Sequence, residues 1–164
     1  MRKLKLAIAA TVLLVGLANA EECVRAGHDD MVAMSSDAIV WGPAPPGLPP
    51  GAQAVVLAGN PGAEGPFTIR AKMPDGYKVP PHWHAMAENV TVISGTIHVG
   101  MGDTMDTAKA TTLKAGGFVM MPAEMHHYAF AEGETVLQIH GNGPFSITYV
   151  NSADDPRSKK SDDK

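Results

Sequence analysis

The 164-residue chain contains a single cysteine, Cys23. That excludes an internal disulfide framework and any thiolate-rich zinc or iron–sulfur centre. It lacks a basic excess: 13 Lys and Arg stand against 17 Asp and Glu, a formal charge of -4. The electrostatic footprint of a nucleic-acid binder is therefore missing. Aromatic residues are only 5% and charged residues 18%, yet 45% of the chain is hydrophobic, too much for a disordered polypeptide. No amphipathic repeat of ten or more residues runs through it, so long helices are not expected. What is plentiful is glycine and proline, 17 and 13 residues, and that mixture favours short strands and turns. The length suits one domain.

The first twenty residues read as a secretory signal peptide. Arg2, Lys3 and Lys5 form a basic start, Leu6 to Ala18 is uncharged, and Ala18-Asn19-Ala20 offers small residues at a cleavage site. The apolar run falls short of the roughly 20 residues needed to span a bilayer. Glu21 and Glu22 stand between the site and Cys23, which rules out lipidation at that cysteine. The expected product is secreted or periplasmic, begins near Glu21 and has no membrane anchor. Losing three basic residues would take its formal charge to -7. Cys23 is then either a free thiol on a mobile end or a bridge between two chains.

Residues 21–36 form an N-terminal lead-in with no clear pattern. Residues 37–153 are expected to make one β-domain, and residues 154–164 a charged, disordered tail. Asp37 to Trp41 reads as a first strand. Gly42 to Gly51 holds five prolines and is expected to be an ordered surface arm. Strand candidates follow at Gln53–Leu57, Phe67–Met73, Val90–Ile93, Thr96–Val99, Phe118–Met121, His127–Phe130, Val136–His140 and Phe145–Val150. Each is short, β-branched or aromatic, and bounded by turn residues. Strands at this spacing with no helices between them point to a sandwich or barrel.

Chemistry concentrates in the histidines. His82 and His84 are one residue apart, so on an extended strand both imidazoles face the same way. Glu88 lies four residues further on and can return to that side across a turn, and His127 opens a later hydrophobic block. Three neutral imidazoles and one carboxylate are a ligand set for a divalent transition metal that keeps open positions. Neighbouring strand residues face opposite ways, so either His126 or His127 can be the third imidazole; the spacing favours His127, and a one-residue slip at Pro122 would substitute His126. His98 reads as a surface or core residue, and His28 has no constellation around it. Gln138 and His140 share a face; were it the inner one, Gln138 would touch substrate or a ligand's second nitrogen. Met86, Met101, Met105, Met120, Met121 and Met125 raise the question of a copper site, but Met86, Met120 and Met125 are expected to line a pocket instead.

These residues resemble the cupins, small β-barrel or jelly-roll proteins. Their first motif asks for Gly, five residues, His-x-His, three or four residues, Glu, six residues and Gly. Gly76, His82, His84, Glu88 and Gly95 fill every fixed position. In the second motif Gly116, Pro122 and His127 match, whereas Glu124 replaces a glycine and Ala131 an asparagine. The resemblance covers Gly76 to Ala131 directly. It implies an all-β, cupin-type jelly-roll barrel with a metal held by His82, His84, Glu88 and His127. The ion implied is manganese, iron, copper, zinc or nickel, without a choice among them.

The expected function is that of an exported metal-binding cupin acting on a small molecule. A dioxygenase-like oxidoreductase comes first, with Glu88 as a proton acceptor if it swings off the metal. A metal-dependent isomerase or lyase is the neighbouring variant, and a non-catalytic metal- or small-ligand-binding cupin is the alternative. The expected partners are a small substrate or ligand and, through the proline arm and exposed strand edges, a second copy of the chain.

Overall fold

Short β-branched runs punctuated by glycine and proline do fold as strands, and nine of them lie among the described residues. The computed structural model describes residues 31–158. The expected signal segment, Cys23, His28 and residues 159–164 lie outside the described residues. From Ala33 onward the chain forms one unit. The strands are β1 (Gly42–Pro43), β2 (Gln53–Ala58), β3 (Gly65–Met73), β4 (Lys78–Trp83), β5 (Glu88–Met101), β6 (Thr111–Lys114), β7 (Phe118–Met121), β8 (His127–Gly143) and β9 (Thr148–Tyr149). Every pairing is antiparallel. The described helices are three-residue 3-10 turns.

The two long strands organise everything else. β5 and β8 pair from Asn89↔His140 to Met101↔His127, and each belongs to two sheets. In one, the order is β1-β2-β3-β8-β5-β7, using the first half of β5 and the second half of β8. In the other it is β9-β4-β8-β5-β6, using the opposite halves. The ribbon bends where the β5–β8 register shifts around Ser94. Gly95 makes the bend possible: its φ is +78°, and a Cβ there would sit 2.4 Å from the Glu134 carbonyl oxygen. Thr135 is fully buried at the corner. Its hydroxyl donates to the Thr96 carbonyl and accepts from the Thr96 N–H. The result is the jelly-roll half-barrel.

Strand alternation sends Val90, Val92 and Ile97 of β5, Leu137 and Ile139 of β8, and Phe67 and Ala71 of β3 into one core. The sequence reading differs from this fold in particulars. Asp37 to Trp41 is not a strand; Ser36–Ala38 is a 3-10 turn, and pairing begins at Gly42. Four expected strands are halves of β5 and β8, interrupted in composition by Gly95 and Gly133 but not in pairing. Phe145 to Val150 reduces to β9. The tail is ordered as far as Ser158: Ser152–Asp154 and Pro156–Ser158 form turns, and Arg157 grips Asp155 and the Ile147 carbonyl. Of the charge that suggested disorder there, Arg157 and Asp155 pair with each other.

Candidate metal centre

β4 reaches the site through a pair of prolines. Pro80 and Pro81 sit where its register against β8 shifts between Val79 and His82; proline is tolerated at such a bulge because the ladder is already broken. The extra residue re-aims the strand, so that Val79 and His82 both face inward, and His84 follows with the two-residue period. Glu88 starts β5 on the same face as Val90 and Val92. His127 starts β8 on the face of Ala129 and Ala131. All three imidazoles are buried, with His82 and His84 at 5% exposure and His127 at 2%.

Each ring is fixed through its outer nitrogen. Nδ1 of His82 lies 2.7 Å from the Pro80 carbonyl oxygen, Nδ1 of His84 2.7 Å from that of Ser146, and Nδ1 of His127 2.8 Å from that of Met125. A carbonyl only accepts, so all three Nδ1 atoms carry hydrogen and all three Nε2 atoms present lone pairs. This is the tautomer a metal ligand needs. Nε2 of His84 and His127 stand 3.5 and 3.3 Å from Glu88 Oε2.

One ligand atom from each of His82, His84, Glu88 and His127 lies within 4.8 Å of the others. Donors 2.0–2.2 Å from a shared ion are at most about 4.4 Å apart, so the cluster is within a few tenths of an ångström of a coordination shell. Nε2 of His84 and His127 are buried with no hydrogen-bond partner. A buried polar atom left unpaired costs about 1–3 kcal/mol, and a cation between these lone pairs would relieve it. The residues present therefore fit a divalent transition metal: neutral imidazoles with one carboxylate, and no thiolate.

Burial holds His82 and His84 neutral. Desolvation, reinforced by the neighbouring His127, pushes His82 down to about 3. Desolvation likewise lowers His84, against the pull of Glu88. Burial alone would raise Glu88, but the surrounding imidazole edges outweigh it and hold the carboxyl below its usual range.

The cluster occupies one side of a cavity of about 520 Å³. Its other walls are almost wholly aliphatic, including Ile69, Val90, Ile97, Leu137 and Ile139. The proline arm closes over it: Pro43, Pro45, Pro46 and Leu48 line the space. Two tyrosines latch the arm to its own barrel, Tyr77 donating to the Pro49 carbonyl and Tyr149 to that of Gly47. Burial, with the charge of nearby Asp155, raises Tyr149 to about 12, which keeps that hydroxyl a donor.

The four expected ligands come together; the other candidates do not join them. His126 points outward and pairs with Asp103, 2.5 Å away. His98 lies on the outer surface between Thr112 and Glu132, stacked on Phe130. Gln138 also faces outward and accepts from Arg70, and His140 is exposed. The methionine expectation is corrected: Met121 lines the cavity, whereas Met86 and Met120 are 37% and 50% exposed; Met125 packs against the core. The missed residue is Arg157, which also lines the cavity. Nothing in its charged stretch of sequence marks it.

Glu124 shows how the departures from the second motif are accommodated. It adopts φ +63°, so the left-handed turn survives without glycine, and its N–H donates to the His84 carbonyl. Ala131 keeps its place through backbone bonds with Gly76 and Tyr77.

A jelly-roll half-barrel with His-x-His, Glu and His at one end is the architecture of a cupin, and the solved structures it resembles agree. A candidate acetylacetone dioxygenase from Methylibium petroleiphilum matches with a TM-score of 0.60 at 20% identity, covering 77% of this chain and 85% of that one. An RmlC-like cupin from Shewanella frigidimarina matches at 0.54 and 16%, covering 69% and 91%. KdgF from a Halomonas species matches at 0.51 and 19%, covering 66% and 91%. The chain belongs to the family described as a domain of unknown function, DUF4437, which matches residues 14–148. No curated protein matches it.

Proposed function

We propose that the protein is an exported cupin that binds a divalent transition metal through His82, His84, Glu88 and His127 and oxidises a small apolar substrate with dioxygen. The observation that carries the reading is the set of inward lone pairs at one side of an aliphatic cavity, two of them buried without a partner. The ion would supply Lewis acidity and redox capacity. The chain itself supplies the rest. The carbonyls of Pro80, Ser146 and Met125 lock the imidazoles, the aliphatic walls exclude water, and the arm confines the substrate. Among the described lining residues Glu88 is the one carboxylate and, swung off the ion, the natural proton acceptor. Export is supported by the basic start, apolar run and small-residue site of residues 1–20. Pairing of two copies belongs to the same proposal and is supported by β7, which has one strand partner and half-exposed Phe118 and Met120.

The test is elemental analysis of protein purified from its native compartment, followed by oxygen uptake against diketones, phenols and thiols. Diketones head the panel because one similarly folded protein is a candidate acetylacetone dioxygenase, although a shared fold does not carry an activity with it. One bound ion per chain and uptake with one class is the expected result. Metal retention without uptake would instead favour metal-dependent ligand binding. That second reading has its own support: among the described lining residues, only the cluster offers acid–base side chains. Absence of metal would overturn both.

A further inference from the structure

Apart from the metal cluster, the described residues that line the cavity include one charged side chain, Arg157. Its guanidinium is held rigidly. Nε donates to Asp155 Oδ1 at 2.8 Å, while Nη2 donates to Asp155 Oδ2 at 2.7 Å and to the Ile147 carbonyl at 2.9 Å. Nη1 has no hydrogen bond among the described residues. It is aimed at the proline arm, 3.5 Å from where a Cβ on Gly47 would stand. Ile147 Cγ2 would stand nearer still, 2.8 Å from such a Cβ, so glycine is what fits between the arm and the arginine, and the arginine side chain is 43% exposed. A fork fixed on one edge by a carboxylate, with its other edge free beside an aliphatic cavity, is a preorganised acceptor for a second oxyanion.

We propose that Arg157 recognises the acidic end of the ligand, and that the ligand class is an apolar acid: a hydrocarbon or aromatic body carrying one carboxylate. The body fills the aliphatic space and the carboxylate meets Nη1. The proposal deepens the reading above, since it names the substrate class of the same cavity, but it makes no use of the metal. The experiment therefore uses chelator-treated protein.

The probe is the neutral fluorophore N-phenyl-1-naphthylamine, displaced at pH 8 by octanoate or by 1-octanol. Wild-type protein is expected to bind octanoate about tenfold more tightly than octanol. Arg157→Gln should lose that tenfold while still binding the fluorophore and octanol, and Arg157→Lys should fall between. Raising sodium chloride should weaken octanoate and leave octanol unchanged. Equal affinities in wild type, or a preference that survives Arg157→Gln, overturns the proposal. Should Arg157→Gln no longer bind the fluorophore, the salt series on wild type decides, and salt-independent octanoate binding overturns it. Failure to find metal in the native protein would leave these results untouched, so the two readings fail separately.

Discussion

At the scale of single residues, the site depends on which nitrogen of each imidazole carries hydrogen. Backbone carbonyls make that choice for His82, His84 and His127, and they do so whether or not an ion is present. His82→Ala or His127→Ala should therefore abolish stoichiometric metal in elemental analysis. His98→Ala, which removes only contacts on the outer surface, should leave it intact; equal loss in all three would place the metal elsewhere. Acid should act through the same burial. Free of metal, His82 keeps its proton off until about pH 3, whereas an unfolded histidine takes one up near 6.5. Between those values only the unfolded chain is protonated there, so stability is complete above 6.5 and falls as pH drops toward 3. The slope is about 1.4 kcal/mol per pH unit for each such imidazole. His84 adds in the same direction. Glu88, held below its ordinary 4.5, adds a further loss under more acid conditions. Urea midpoints of chelator-treated protein should fall between pH 7.5 and 5.5; a flat profile would contradict neutral, buried rings. Glu124 offers a gain. A non-glycine residue in the left-handed region costs about 1–2 kcal/mol, partly offset by the lower chain entropy of a residue with a side chain. Glu124→Gly should raise the melting temperature by about 2–4 °C, read by calorimetry.

At the scale of elements, the corner shared by β5 and β8 holds the two sheets in their relative orientation. Gly95→Ala would drive a Cβ into the Glu134 carbonyl and Thr135, both backbone-fixed. A loss of more than about 3 kcal/mol in urea titration is expected, since strain at a special φ and overpacking act together. The same element shows where sequence is legible and where it is not. The site could be read because histidine, glutamate and glycine keep recognisable spacings: His82 and His84 share a face by strand period alone, and Gly76 and Gly95 mark real left-handed positions. The strand candidates omit β4, and only the pairing with β8 and β9 reveals the bulge that accommodates Pro80 and Pro81 within it. The continuity of β5 and β8 was hidden by Gly95 and Gly133, which interrupt composition without interrupting hydrogen bonds. Arg157 was invisible because its role comes from a tertiary contact with Ile147, made by no local pattern.

For the whole molecule, the proposed metal would be coupled to the fold. An ion that binds the folded chain and not the unfolded one stabilises it by about 2.7 kcal/mol at a hundred times its dissociation constant. Melting temperature should therefore rise several degrees on adding the native ion and fall again with chelator. No change would mean that the cluster does not bind it. The coupling has a structural origin. Glu88 belongs to the sheet built on β7 and the first half of β5, whereas His82 and His127 come from the sheet of β4 and the first half of β8. No partly folded hairpin owns all four donors. A chain threaded through a membrane pore could not carry its cation across as a preassembled cargo. It would acquire one after the two layers close, from whatever ions the destination offers, so the choice of metal would be made by the finished barrel and its surroundings.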